Sequence, residues 1–374
     1  PWRIAVMHAV SPLARLPRSQ ALWRLLVVVA VLAAACAPSA APPPTQVGST
    51  NAETPAAKAS APTPSTAPTI SPTSPAARRL NVATSVAPIT NIARNVGGSR
   101  INLRGLVPGG VDSHTYEPTP QDAQVLAEAD LIVLNGLNLE VGIEKLAEAT
   151  KKPEAVVLKL GDNTVTRSEW VFDFSFPEEQ GNPNPHLWMS VPYARRYAEL
   201  VRDALVRLDA ANAEYYRQNT ERYVALLDRL DAAIEAAVKT VPEEQRKLVT
   251  YHDSFAYFAR RYGMTVIAAI QPSDFSEPSA KDMADIVNQL RQERVPAIFA
   301  SEVFPSKVVD QIGREAGVRF VETLRDDDLP GEENAPEHTY VGMMVENVRT
   351  MVEALGGNPS ALDAIDPRNT YVEG

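Results

Sequence analysis

Residues 213–239 hold the longest periodic segment of this 374-residue chain. Tyr216, Tyr223, Leu226, Leu227, Leu230, Ile234 and Val238 recur at helical spacing, no glycine or proline interrupts them, and Pro242 ends the run. A helix of that length spans roughly 40 Å, about the height of a small domain. It constrains the whole fold: either one rigid helix joins two lobes, or it forms an extra layer of a single domain. The segments on its two sides favour the first arrangement.

Each side alternates short apolar runs with helix-like stretches. Before it, 80–84, 101–107, 131–134 and 155–160 read as buried strands, with helical stretches near 86–95, 120–128 and 140–150. After it, 248–251, 264–270, 297–300 and 318–321 repeat the rhythm. The clearest helix there is 279–293, where Ser279 and Asp282 make a capping-box start and Met283, Ile286, Val287 and Leu290 share one face. Strands alternating with helices pack as a parallel sheet covered on its faces. The predicted class is α/β, with an N-terminal lobe at 79–210, a linking helix at 211–241 and a C-terminal lobe at 242–374.

The amino-terminal part has a different composition. Met7 is the nearest candidate initiator; Arg15, Arg18 and Arg24 make a basic segment, followed by the apolar run 25–35 and the single cysteine, Cys36. That run is too short to span a bilayer, which takes about 20 residues, so 1–35 reads as a signal peptide. The sequence Ala33-Ala34-Ala35-Cys36 resembles the lipobox of bacterial lipoproteins, although leucine lies at 32, one position further from the cysteine than usual. Cys36 is therefore expected to carry lipid; a plain signal peptide with an incidental cysteine is the alternative. Residues 37–77 contain ten prolines among Ala, Ser and Thr and almost no large apolar residue. Such a stretch cannot offset its ordering entropy by burial, so 36–78 is expected to be a disordered tether. With one cysteine no disulfide forms within the chain. The formal net charge is −10, and losing Arg3, Arg15, Arg18 and Arg24 with the leader takes it to −14. That balance argues against a nucleic-acid partner.

The chain has only five histidines, and three of them stand in loops beside strand-like runs: His114 in DSHTYEP, His186 in NPNPHLWMS and His252 in YHDSFAYFARRYG. Asp327 in TLRDDDL stands likewise, and His338 is a spare. Loops at the ends of α/β strands gather around ligands, so these residues are candidates to converge on one metal ion. Each has a bland alternative: His114 satisfies a turn, His252 caps the helix through Phe255 and Phe258, and Asp327 belongs to a solvated acidic run with Asp326 and Asp328. Trp188 reads as packing within the lobe. Glu302 ends a strand near the same cleft and is a candidate to hydrogen-bond a ligating imidazole, or a salt-bridged strand end.

DSHTYEPTPQDAQVLAEADLIVLNGLNLE, NPHLWMS, YHDSFAYFARRYG and TLRDDDL with TYVGMM together resemble the zinc/manganese solute-binding lipoproteins of ABC transporters, from about residue 80 to 351. The resemblance implies a metal held between two α/β lobes joined by one long helix. His114 and His186 are then ligands from the first lobe, and His252 and Asp327 from the second; counting back from Leu329 in the family pattern favours Asp327 over its neighbours. It also implies capture of Zn²⁺ or Mn²⁺ outside the cytoplasmic membrane and delivery to an ABC permease, by a monomer tethered through its lipid. Three imidazoles and a carboxylate suit zinc. Manganese members are expected to carry Glu at the position of His252. Zinc members often carry a histidine-rich insertion near 161–180, and none stands here.

Two other classes remain open. A zinc hydrolase would need an open coordination position and a nearby base, and no HExxH, GxSxG or Gly-rich phosphate loop is present. A surface adhesin with a structural metal would have the same sequence features. Proton competition places the expected loss of metal affinity near the ordinary histidine range, ~6.5.

Overall fold

The computed structural model describes residues 78–273, 275–304 and 306–373. The predicted signal peptide, Cys36 and all of the tether except Arg78 lie outside the described residues. Among these residues no helix is long and apolar enough to cross a membrane.

The first lobe is built on β1 (Leu80–Thr84), β2 (Ile101–Gly105), β3 (Leu131–Leu134) and β4 (Val156–Lys159), in the order β2-β1-β3-β4 with every pair parallel. The second repeats the pattern with β5 (Lys247–Thr250), β6 (Thr265–Ala269), β7 (Ala297–Ser301) and β8 (Arg319–Leu324), ordered β6-β5-β7-β8 and again parallel. In both, the first strand in sequence lies inside the sheet with its two successors on opposite sides. This reversal of winding opens a crevice at the carboxyl ends of the strands, where α/β sheets bind ligands. Helices α1 (Ala87–Gly97), α2 (Pro120–Glu128) and α3 (Val141–Thr150) connect the first set, and α6 (Ala256–Tyr262), α7 (Ala280–Glu293) and α8 (Ser306–Ala316) the second. All four residues of β3 and all five of β7 are buried, as strands covered on both faces must be.

Local chemistry accounts for the boundaries. Ser279 caps α7 by accepting from the Asp282 N–H, and the Asp282 carboxylate returns the bond to the Ser279 N–H. Helix α1 runs to Gly97, two residues past its predicted end, and the chain turns at Gly98 with φ +50°. β2 stops at Gly105 rather than 107, yet the Leu106 and Val107 N–H groups still bond the Thr84 and Ser85 carbonyls. β8 continues three residues beyond its predicted end and carries the chain into the acidic triplet 326–328.

The predicted long helix is α5 (Ala213–Lys239), preceded by α4 (Val191–Leu208), against which it packs. All seven of the predicted apolar positions, Tyr216 to Val238, are buried. It is not the only element that holds the lobes. Helix α9 (Tyr340–Ala354) follows the second sheet, but its Tyr340 N–H donates to Asn91 Oδ1 in α1 and its Tyr340 hydroxyl to the Trp188 carbonyl. Beyond it, Asn369 Oδ1 accepts from the amides of Asn91 and Asn95, and the Val372 carbonyl from the Tyr215 hydroxyl. The last residues of the predicted second lobe thus lie against helices α1 and α5.

Leu227 is fully buried in α5. Leu227→Ala is expected to lower unfolding free energy by about 2–5 kcal/mol, the cost of removing a core leucine and leaving a cavity. Urea denaturation checks this, and a loss under about 1 kcal/mol would mean that α5 is not packed as described.

Candidate metal centre

Four loops reach the cleft, each following the carboxyl end of a parallel strand. His114 lies between β2 and α2, and His186 between β4 and α4, just before a 3₁₀ turn at Leu187–Met189; His252 comes two residues after β5, and Asp326 two after β8. Among the described residues, His114, His186 and His252 form a cluster of potential metal donors whose ligand atoms lie within 4.8 Å of one another. His186 Nε2 is 3.2 Å from His114 Nε2 and 3.0 Å from His252 Nε2.

The other ring nitrogens explain which atoms face inward. Asn184 Oδ1 lies 2.8 Å from His186 Nδ1 and also accepts the His186 backbone N–H, while Gln271 Oε1 lies 2.7 Å from His252 Nδ1. An amide oxygen only accepts, and Asn184 Oδ1 is held in place by the His186 backbone N–H, so in His186 Nδ1 bears the proton and Nε2 presents a lone pair. His186 is fully buried, His252 nearly so, and the half-buried His114 stacks on Phe275, ring centroids 4.5 Å apart at 19°, with Phe176 on its flank. Burial, together with the neighbouring His252 ring, pushes the His114 and His186 imidazoles well below their ordinary range. Both are neutral at pH 7, the form that binds metal.

The carboxylate brought to this cluster is not the expected one. Asp326 Oδ2 lies 3.4 Å from His252 Nε2 and 3.9 Å from His186 Nε2, is buried, and has no hydrogen-bond partner. Asp327 turns instead toward the first lobe, where its Oδ2 accepts the Ser113 N–H at 2.9 Å; its Oδ1 is buried without a partner. The reason is Glu302. Its Oε1 accepts the N–H groups of Asp326, Asp327 and Asp328 at 2.7, 3.0 and 3.2 Å, pinning a tight turn from which successive side chains leave in different directions. Glu302 was expected at an imidazole and is found organising the acidic turn. Burial raises the Asp326 carboxyl well above its ordinary value, helped by Glu302 and Asp327, and raises Asp327 to about 6.

Trp188 also serves this turn: its Nε1–H donates to the Asp326 carbonyl at 2.9 Å while its ring meets His186 edge-on. His252 does not cap a helix, since α6 begins at Ala256 with Phe255 in the capping position. His338 is outside the cluster and faces the Pro330 carbonyl through Nδ1. Sequence reasoning missed Asn184, Gln271, Phe176 and Phe275. Asn184 had a signal, two residues before His186 in NPNPH; the other three meet their histidines only through the fold.

The chemistry of the donor set fits a divalent transition ion. Three buried ring nitrogens crowd together with a buried, unpartnered carboxylate oxygen beside them. Imidazole with carboxylate suits zinc, and imidazole alone suits several neighbouring ions.

Comparison with known proteins agrees with this geometry. Residues 82–354 match the family described as the zinc-uptake complex component A, periplasmic. The iron-binding protein YfeA of Yersinia pestis is 30% identical over 280 residues, covering 75% of this chain and 88% of that protein. The zinc-binding protein TroA of Treponema pallidum is 32% identical over 278 residues, covering 73% and 88%. The solved structure of the periplasmic zinc-binding TroA superposes with a TM-score of 0.68 at 30% identity, covering 74% of this chain and 99% of that one. A manganese-bound periplasmic metal-binding protein from Candidatus Liberibacter asiaticus superposes at 0.65 with 27% identity, covering 73% and 98%. With two parallel-sheet lobes, imidazoles converging at their strand ends and a family match over most of its length, this chain belongs to the zinc-uptake component A family of periplasmic metal-binding proteins.

Proposed function

We propose that this protein captures a divalent transition metal outside the cytoplasmic membrane and delivers it to an ABC permease. The observation that carries the reading is the set of three Nε2 atoms, with His186 Nε2 within 3.0 and 3.2 Å of the other two. Ring nitrogens gathered this closely can share one cation. His114, His186 and His252 are the nitrogen donors, and the fourth donor is a carboxylate of the acidic turn. Two observations bear on which one: the motif register selects Asp327, and distance selects Asp326. A fourth protein ligand closes the coordination shell, which suits a carrier rather than a hydrolase needing bound water. Lipid on Cys36 and action as a monomer complete the proposal. Adhesion through a structural metal is the alternative, and a transport defect separates the two.

Zn²⁺ is the favoured cargo, because three imidazoles prefer it to Mn²⁺ in the general affinity order. The names of the relatives span iron, zinc and manganese, so the donor atoms of this chain carry that choice. Docking on the permease releases the ion by drawing the acidic turn and His252 away from the first-lobe histidines.

His114→Ala, His186→Ala and His252→Ala are each expected to weaken Zn²⁺ binding at least ~100-fold in a calorimetric titration, about 2.7 kcal/mol or more, while His338→Ala stays within ~2-fold. Asp326→Asn and Asp327→Asn identify the fourth donor, which is the one whose loss reaches that level. A large loss for His338→Ala with none for His252→Ala would overturn the site. In direct competition Zn²⁺ is expected to displace Mn²⁺ at equal concentration, and the reverse order would overturn the cargo.

The proton count follows from the pKa directions. His114 and His186 are already neutral at pH 7, whereas burial shifts the Asp326 carboxyl toward its protonated form. Zn²⁺ binding at pH 7 should therefore release no more than about one proton, and release it from the acidic turn. Calorimetry in buffers of different ionisation enthalpy measures this, and release of two or more would mean that the imidazoles are protonated in the free protein. Loss of affinity on acidification accordingly follows the raised carboxyls of the acidic turn, in step with the protons released, rather than the ordinary histidine range near ~6.5.

A further inference from the structure

Asn184 is fully buried, and each of its polar atoms is engaged. Its Oδ1 accepts the His186 N–H at 3.0 Å and faces His186 Nδ1 at 2.8 Å. Its Nδ2 donates to the Asp253 carbonyl at 2.6 Å and to Asp173 Oδ2 at 2.9 Å. A backbone N–H only donates and a backbone carbonyl only accepts, so the amide has one possible orientation. The Asp253 carbonyl follows His252 directly and belongs to the second lobe. One side chain therefore aims an imidazole of the first lobe and grips the backbone beside an imidazole of the second.

The segment leading to Asn184 makes the same crossing. The Val171 N–H reaches the Tyr257 hydroxyl at 3.3 Å, the Ser175 N–H reaches Asp253 Oδ2 at 2.9 Å, and Ser175 Oγ donates to the Gln271 carbonyl at 2.9 Å. Gln271 is the residue whose Oε1 holds His252 Nδ1. The two residues whose side chains face the buried imidazoles from behind are thus tied to the opposite lobe, Asn184 through its side-chain amide and Gln271 through its backbone carbonyl.

We propose that Asn184 is a positioning residue that sets the metal-accepting tautomer of His186 and couples the aim of that ring to contact between the lobes. The His186 N–H and Asp173 Oδ2, both of the first lobe, fix which end of the amide faces the ring, so Oδ1 meets Nδ1 and the Nε2 lone pair is available. The Asp253 carbonyl adds the anchor that ties this amide to the backbone beside His252. When the lobes part that anchor is lost: the tautomer stays, but the His186 ring is no longer held in register with His252. Site alignment and lobe closure are thereby coupled, and by linkage bound metal stabilises the closed form. This inference rests on the metal-binding reading above.

Asn184→Asp and Asn184→Leu test it, read by ¹⁵N NMR of the His186 ring in metal-free protein and by Zn²⁺ dissociation rate. Asn184→Asp keeps the acceptor and loses the donor: the Nδ1–H tautomer should persist while Zn²⁺ leaves at least ~10-fold faster. Asn184→Leu loses both: the ring should show mixed tautomers and affinity should fall ~10–100-fold, as for other groups that orient metal ligands. A wild-type dissociation rate in Asn184→Asp, or an unchanged tautomer in Asn184→Leu, overturns the inference. The tautomer measurement needs no metal, so a wild-type protein that binds no Zn²⁺ would overturn the metal reading alone. Should the variants fail to fold, hydrogen exchange of the Asn184 side-chain amide in the wild-type protein decides: Zn²⁺ should slow it at least ~10-fold, and equal rates with and without metal overturn the coupling.

Discussion

Three imidazole rings gather with their donor atoms within 4.8 Å of one another, an arrangement that a shared cation stabilises. His186 Nε2 is 3.0 Å from one ring nitrogen and 3.2 Å from another, in a setting where burial also disfavours protonation. Much of the molecule bears on holding this arrangement. The Asn184 amide oxygen fixes the tautomer of His186 from behind, Gln271 faces the far nitrogen of His252, Phe275 and Phe176 pack against His114, and Trp188 meets the edge of His186. Rings held in this way present their donors to a cation with little further rearrangement.

The two sheets divide the work. Both have the same strand order, and both open their carboxyl ends toward the cleft, so each lobe brings candidate ligands there on the loops that follow its strands. The second lobe organises its acidic turn through Glu302, whose single oxygen takes three backbone N–H groups. Motion between the lobes is restrained by α5 and also by the return of α9 and the residues after it to α1. Polar contacts that cross the cleft include those of Asn184, Ser175, Trp188 and the Ser113–Asp327 pair, and a displacement of one lobe at the cleft would have to break them.

Much of this was legible in the sequence because it is locally encoded. The 27 residues of α5 and the capping box of α7 follow from side-chain spacing and one serine, and the structure has both. The three histidines were legible from their position beside apolar runs and from the motifs around them. The identity of the aspartate at the imidazoles was not. Asp326, Asp327 and Asp328 lie in a turn with no periodicity, and the turn is pinned by Glu302, just past the end of β7. Gln271 and the second-lobe grip of Asn184 escaped for a similar reason: an amide facing a ring 19 residues away, or gripping a carbonyl 69 residues away, leaves no trace in spacing. The bridging role of α9 depends on Tyr340 meeting Asn91, a contact spanning 249 residues.

The central claim is that one metal ion is bound by nitrogen from both lobes. Crystals of the full folded region grown with Zn²⁺, with diffraction recorded on both sides of the zinc absorption edge, test it most directly. The account predicts a single anomalous peak at about 2.0–2.1 Å from Nε2 of His114, His186 and His252, with one oxygen of Asp326 or Asp327 completing the shell. A peak bound by one lobe alone, or no peak among these three histidines, would show that the cluster is packing and not a metal site.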